Sequence, residues 1–158
     1  MSNILLVECG PDRLDQVMAI MNDAFDPAFG EAWSAPQCCG MLNMPGVWMT
    51  LAMESDHPAG FSVARVVADE AELLLLGVRR ASWRNGIGRR LLQGFCEAGK
   101  HRGAKRLHLE MRDGNAAIAM YAHAGFEQVG RRRNYYRGSQ GDCFDALTLS
   151  CSADALLL

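Results

Sequence analysis

The most specific spacing of residues that could do chemistry is the segment Arg84-Asn85-Gly86-Ile87-Gly88-Arg89, which follows the apolar run 71–78. Its two glycines allow a tight turn and leave bare backbone N–H groups close to a ligand. A helix that begins at these glycines adds unpaired N–H donors and partial positive charge, and the two flanking arginines add full charges. The segment therefore predicts an anion site that suits a diphosphate.

Two common phosphate-binding loops are excluded by the residues around Gly88. A Walker-type loop requires a lysine followed by serine or threonine, and no lysine stands here. The dinucleotide-binding fingerprint requires a third glycine three residues after Gly88, where this chain has Leu91. Nucleoside triphosphates and NAD are thus not supported, and a glycine-softened turn with solvated arginines is the alternative interpretation.

Proton transfer could be carried by Glu110 and Tyr121. Glu110 stands at the carboxyl end of the predicted strand 105–111, and such strand ends are where α/β proteins place their sites. Spacing alone supports two roles for Glu110 about equally. It could be a general base, or it could be a surface carboxylate paired with Arg106 or Arg112. Tyr121 falls on the apolar stripe of a predicted helix, so spacing alone favours a core aromatic at that position.

A candidate recognition surface is the tyrosine pair Tyr135-Tyr136, which lies in the predicted loop 134–142 beside the basic run 131–133. Exposed paired tyrosines are typical of binding surfaces, although the pair could instead anchor the loop. The basic run is short and is typical of a solvated strand end.

The elements that must position these residues follow one another in the order β-α-α-β-β-β-α-β-α-β-β. Alternating and apolar runs predict strands at 4–8, 47–53, 59–67, 71–78, 105–111, 126–133 and 143–151. Helices are predicted at 13–25, at 37–42, from the glycines to about 103, and at 116–124, with Asp12 capping the first and Gly125 ending the last. This order predicts one α/β domain, residues 1–158, with a mixed sheet covered by helices on both faces.

The composition narrows the class of protein. The 158 residues are 49% hydrophobic and 22% charged, as in one globular domain, and the net charge of −2 gives no electrostatic case for nucleic acid. No apolar run approaches the ~20 residues of a membrane span, and the start lacks a secretory signal, so we expect a cytoplasmic protein without a membrane partner. The six cysteines and four histidines show no zinc spacing, so we expect no metal.

Three ordered landmarks of the sequence resemble those of the GNAT acetyltransferase superfamily. They are the Arg-x-Gly-x-Gly loop at 84–88, Leu109-Glu110, and the segment 115–126 that ends in Tyr121-x-x-x-Gly125-Phe126. Other segments resemble one branch, the bacterial ribosomal-protein-alanine N-acetyltransferases: Ala32-Trp33-Ser34, residues 66–72, the run 132–136, Gly141-Asp142 and Asp145-Ala146. The resemblance extends from about residue 4 to residue 150.

The resemblance implies a GNAT fold, with a mostly antiparallel mixed sheet and a splayed parallel pair, and acetyl-CoA as cosubstrate. By position, Glu110 would be the general base and Tyr121 the general acid, which also contacts coenzyme A. The diphosphate would be held by residues 84–89. Further contacts to coenzyme A would come from the backbone of Leu76, Gly77 and Val78 and from the side chain of Asn115. The acceptor groove would be lined by Trp33, Tyr135 and Tyr136.

The chain departs from the GNAT pattern at two places. Trp83 stands where many relatives have glutamine or arginine. The stretch between Glu110 and Tyr121 is one residue shorter than usual, so either Gly114 or Asn115 falls at the pantetheine position. We assign Asn115, because glycine has no side chain that could donate a hydrogen bond.

The acceptor is expected to be an α-amine. An α-amino group has a pKa of about 8, whereas a lysine at about 10.4 needs more help than a weak carboxylate base gives. We therefore expect acetyl transfer to a protein N-terminus by direct attack in a ternary complex, with the enzyme a monomer or weak homodimer. Alternatives are a GNAT for small amines (polyamine, amino acid or aminoglycoside), with a mildly acidic lid of Asp23, Asp26 and Glu31, and a non-catalytic acyl-CoA sensor.

Overall fold

The structure, a computed structural model, describes residues 3–158 and has the element order that the sequence predicts. The strands are β1 (Ile4–Cys9), β2 (Val47–Glu54), β3 (His57–Val67), β4 (Glu70–Val78), β5 (Arg106–Arg112), β6 (Glu127–Arg137) and β7 (Cys143–Ser152). The helices are α1 (Leu14–Ala24), α2 (Ala35–Leu42), α3 (Ile87–His101) and α4 (Ile118–Ala124). Within residues 3–158, no helix has the length and apolar character that crossing a membrane requires.

One sheet contains all seven strands, in the order β1-β2-β3-β4-β5-β7-β6. Every neighbouring pair is antiparallel except β4 and β5, which are parallel because α3 carries the chain back along the sheet between them. The prediction of a mixed, mostly antiparallel sheet is thereby confirmed.

The helices cover the two faces of the sheet. On one face, α1 and α2 bury a cluster that includes Val17, Ile20 and Phe61. On the other face, α3 and α4 pack on a cluster that includes Phe95 and Leu109. Because β4 supplies apolar side chains to both clusters, its sequence is a continuous leucine run rather than an alternation.

The separation of β4 from β5 is produced by a bulge. In the pairing of β3 with β4, Val63 lies opposite Leu75 and Ala64 lies opposite Leu73, so Leu74 is an extra residue. Such a bulge bends its strand and increases the local twist. The parallel pairing with β5 accordingly extends only over Glu70–Leu73, and the two strands diverge beyond it. This is the splayed parallel pair that the resemblance implied.

Three helix ends differ from their predicted positions. Asp12 does not cap α1, because residues Pro11–Arg13 form a 3₁₀ turn and Arg13 stands at the N-cap. At α2, Ser34 and Gln37 form a reciprocal capping box, so the helix begins two residues earlier than predicted. α4 begins at Ile118 and ends, as predicted, at Gly125, whose φ of 105° suits glycine.

Candidate active site

A cavity of about 130 Å³ opens where β4 and β5 separate. The structure brings both candidate catalytic residues and five other predicted site residues together in its wall: Trp33, Leu76, Glu110, Asn115, Tyr121, Tyr135 and Tyr136. Gly77, Val78 and the glycine loop 84–89 are not part of this wall. β5 and β6 contribute side chains from one direction, and α4 contributes Tyr121 from the opposite face of the sheet. The divergence of the two strands is what allows side chains from both faces to meet.

Glu110 lies on the wall of this cavity with its side chain 14% exposed. Its carboxylate forms an ion pair with Arg132 on β6, with Nε 2.7 Å from Oε1. Neither arginine considered from the sequence is its partner. Arg106 donates to Ser150 Oγ at 2.8 Å, and Arg112 donates to the carboxylate of Glu31.

Tyr121 combines a core position with a cavity-lining one. It is only 6% exposed, and its ring packs edge-on against Phe126 with 6.2 Å between centroids. Among residues 3–158, its hydroxyl makes no hydrogen bond with protein groups. Burial, followed by the negative charge of Glu31, raises the pKa of Tyr121 above its ordinary value. The phenol is therefore held in its protonated form.

Glu31 connects the early loop to the two elements that carry the candidate catalytic residues. Its Oε1 accepts from Arg112 Nε at 3.0 Å, and its Oε2 accepts from Asn115 Nδ2 at 3.3 Å. The ion pair is nearly buried, with side chains 12% and 13% exposed, and the guanidinium lies 3.8 Å over the ring of Phe29. Asn115 Oδ1 also accepts from the Ala117 N–H at 2.9 Å, which fixes the turn before α4.

The predicted acidic lid does not offer free carboxylates. Asp23 accepts the N–H of Arg80 at 2.8 Å, and Asp26 caps the 3₁₀ turn at Pro27–Phe29 by accepting the Ala28 N–H. Glu31 is engaged as described above. All three acids therefore have protein hydrogen-bond partners, and Glu31 is the member of this set that lines the cavity.

Tyr135 and Tyr136 lie in strand β6 and not in a loop, which corrects the sequence prediction. The strand continues past residue 133 because Asn134 adopts a left-handed φ of 52° and donates its N–H to Asp145 Oδ1 at 3.0 Å. The register slips there, so Tyr136 pairs with Phe144 while Arg132 pairs with Ala146. The two rings stack edge-on with centroids 4.9 Å apart. This bulge directs both tyrosines toward the cavity.

The end of β4 presents backbone groups to the gap. The Arg79 N–H donates to the Ala59 carbonyl at 2.8 Å, and antiparallel pairing alternates, so Gly77 also directs its N–H and C=O to β3. Leu76 and Val78 direct theirs the other way, into the gap. The backbone role predicted for Gly77 is not supported by this register. The Val78 carbonyl accepts from the indole Nε1 of Trp83 at 2.8 Å.

The glycine loop has the features of an anion site. Arg84 and Gly86 have left-handed φ values of 68° and 81°, and Gly86 stands at the N-cap of α3 without any capping side chain. The first helical bond runs from the Arg90 N–H to the Gly86 carbonyl at 3.0 Å. Within the described residues, no protein acceptor therefore meets the N–H groups of three consecutive residues, Ile87, Gly88 and Arg89.

A carboxylate that the sequence did not indicate also stabilises the glycine loop. Glu54, at the end of β2, accepts from Asn85 Nδ2 at 3.1 Å and from Ser82 Oγ at 3.0 Å. Asn85 therefore has a structural partner inside the predicted diphosphate segment. No local signal connects residues 31 positions apart, so this contact could not be foreseen.

Comparison with known proteins agrees with this geometry. The model of the acetyltransferase (GNAT) family matches residues 14–126. The chain is 42% identical over 87 residues to the [ribosomal protein bS18]-alanine N-acetyltransferase of Salmonella typhimurium, covering 54% of this chain and 59% of that protein. It is 31% identical over 99 residues to the enzyme of the same name from Haemophilus influenzae, covering 63% and 68%. The matched region thus spans somewhat more than half the length of these relatives.

A solved structure extends the similarity over nearly the whole chain. The crystal structure of the ribosomal-protein-S18-alanine N-acetyltransferase from Escherichia coli superposes with a TM-score of 0.85 at 29% identity, covering 96% of this chain and 94% of that one. The splayed β4/β5 pair, the glycine loop and the family match over most of the sequence lead to one assignment. This chain belongs to the GNAT acetyltransferase family.

Proposed function

We propose that this protein transfers an acetyl group from acetyl-CoA to the α-amine of a protein N-terminus. The observation that carries the proposal is that Glu110 and Tyr121, which reach the gap from opposite faces of the sheet, line a single cavity. A carboxylate and a protonated phenol on one cavity are the base and acid that amine acylation requires. The names of the similar enzymes supply the acceptor class, and a ribosomal-protein acceptor would place the reaction in the cytoplasm.

The residues of the glycine loop fit the diphosphate of coenzyme A. In the described part of the chain, three consecutive N–H groups at the start of α3 have no protein acceptor, and a phosphate oxygen is the acceptor that such a terminus favours. Arg84 and Arg89 add charge beside them. The gap-facing backbone groups of Leu76 would hold the pantetheine arm, with Asn115 on the cavity wall. When bound, acetyl-CoA supplies the activated thioester.

The protein's own groups divide the proton transfers between them. Glu110 would accept a proton from the acceptor amine, directly or through one water. Tyr121 would donate its proton to the departing sulfur, since burial keeps the phenol protonated. The Val78 N–H, which faces the gap, would polarise the acetyl carbonyl.

The walls of the cavity favour an extended peptide over a small polycation. Tyr135 is 51% exposed and Tyr136 half-buried, so together they form an aromatic rim on one side. Trp33, on the early loop, also lines the cavity. A peptide N-terminus could enter between them. Of the three lid acids, a polyamine would meet Glu31 on the cavity wall, and that carboxylate is already paired with Arg112.

Release of coenzyme A thiol tests the proposal. Wild type and Glu110→Gln are compared with a peptide that has a free α-amine and with the same peptide α-acetylated. We expect thiol release only with the free amine, and a loss of about 10²-fold or more in Glu110→Gln. Tight acetyl-CoA binding with no acceptor-dependent release, equal in both proteins, would instead establish the acyl-CoA sensor.

A further inference from the structure

Arg132 forms an ion pair with the candidate base. Its side chain is 63% exposed, whereas that of Glu110 is 14% exposed, and 2.7 Å separates Nε from the carboxylate Oε1. The guanidinium therefore holds the carboxylate from a more exposed position. An acceptor amine has to reach the same carboxylate, which lines the cavity, so the two cations compete for it.

The other charged groups beside Glu110 have partners of their own. Arg112, two residues along β5, pairs with Glu31 at 3.0 Å. His108, two residues back, lies 3.7 Å from the carboxylate of Glu72. Within the part of the chain that the structure describes, Arg132 alone forms an ion pair with Glu110.

Arg132 is also free to leave this position. The Arg132 end of the ion pair is 63% exposed, so water and salt screen part of its attraction to the carboxylate. A second favourable position is close by, since the guanidinium carbon already lies 5.7 Å from the ring centroid of Tyr135. The side chain could therefore exchange the carboxylate for the aromatic face without entering an unfavourable environment.

We propose that Arg132 occupies the place of the acceptor's ammonium group in the free enzyme and is exchanged for it when the acceptor binds. This inference rests on the proposed function. A guanidinium and an alkylammonium carry the same charge and both donate N–H groups to a carboxylate, so the exchange leaves the charge at Glu110 balanced and moves no proton. Arg132 is then a positioning residue that sets the acceptor affinity, and the acceptor has to compete with it.

The test compares Arg132→Gln with a matched control on the same strand. Arg133→Gln removes the same charge one residue away, from a side chain that forms no ion pair with the described residues. Arg132→Lys retains a competing cation. Calorimetry would measure the binding of alaninamide to the enzyme saturated with coenzyme A, a pair that cannot react.

We expect Arg132→Gln to bind alaninamide about tenfold more tightly, as if Arg132 blocks the site about nine-tenths of the time. Arg133→Gln and Arg132→Lys should stay within about twofold of wild type by the same relation. Equal or weaker binding by Arg132→Gln would overturn the inference, because Arg132 would then be a bystander or an acceptor-binding group.

A second readout needs no acceptor. Carbodiimide labelling, located by mass spectrometry, should modify Glu110 faster in Arg132→Gln than in wild type or Arg133→Gln, and equal labelling would also overturn the inference. Failure of the proposed function is distinguished by wild type itself, which would then acetylate no peptide while the labelling difference still reports on the ion pair.

Discussion

Tyr121→Phe removes one oxygen atom from the centre of the proposed mechanism. The ring is 6% exposed and packs against Phe126, and phenylalanine retains both features. The hydroxyl makes no hydrogen bond with the described residues, so its removal leaves no protein group unsatisfied. We expect the free energy of unfolding to change by less than about 0.5 kcal/mol.

The effect on turnover should be much larger. A positioned general acid typically contributes about 10²–10⁴-fold, which is about 2.7–5.4 kcal/mol of transition-state stabilisation. The hydroxyl is not expected to stabilise the bound acetyl-CoA before the reaction. The dissociation constant of acetyl-CoA should therefore change by no more than about twofold. The loss should therefore appear in kcat.

Thiol-release kinetics from pH 6 to 10 would measure this effect. Burial and the charge of Glu31 raise the pKa of Tyr121, so the phenol stays protonated throughout the range and no loss of activity from its ionisation should appear below about pH 10. Acetyl-CoA titration and urea unfolding are the controls. An unchanged kcat in Tyr121→Phe would refute the assignment of Tyr121 as the acid.

Three further changes test the surroundings of the site. Glu31→Ala leaves the nearly buried Arg112 unpaired and should lower the free energy of urea unfolding by about 2–3 kcal/mol, and a loss below 1 kcal/mol would contradict the network. Gly86→Ala places a side chain at φ 81°, so calorimetry should show a loss of about 1–2 kcal/mol, with weaker acetyl-CoA binding. Glu72 raises the pKa of His108, whose contribution to stability is complete below its unfolded pKa of about 6.5 and is lost as pH rises through the folded value. His108→Gln should therefore cost about 0.5 kcal/mol at pH 5.5 and almost nothing at pH 9.

The strands and helices were predictable because their signals are local. The leucine run of β4 indicates a strand buried on both faces, and the strict alternation of β5 indicates a strand with one buried face. Gly125 after α4 indicates the end of that helix. Ser34 and Gln37 have the spacing of a capping box, a local signal that fits the observed start of α2 at Ala35. Aspartate is a preferred N-cap residue, but Asp12 does not cap α1 because it lies within the 3₁₀ turn that follows Gly10.

The missing parts of the site depend on contacts between distant residues. Tyr135 lies in a strand because Asp145 holds Asn134 in a left-handed conformation, and no local pattern announces that bond. Glu110 pairs with Arg132 across the sheet and not with a neighbour on its own strand, because β7 and the bulge of β6 set the register. Side-chain partners of this kind depend on which strands are neighbours in the sheet. The spacing of residues along one strand does not give that information.

The direction in which the backbone N–H and C=O groups of β4 point could likewise not be predicted from the sequence. Whether Gly77 or its neighbours face the gap depends on the phase of the β3–β4 hydrogen bonds, which the Arg79 to Ala59 bond fixes. The roles of Leu76, Val78 and Asn115 toward coenzyme A stay predictions that a complex would test.

The most direct measurement of the central claim is acetylation of a mixed acceptor panel, with products identified by mass spectrometry. The panel pairs peptides that begin with Ala, Ser or Met with the same peptides whose α-amine is blocked and whose lysines are free, and adds small polyamines. We expect acetyl groups only on free α-amines, with the preferred first residue defining the substrate class. Modification confined to lysines or polyamines would contradict the claim.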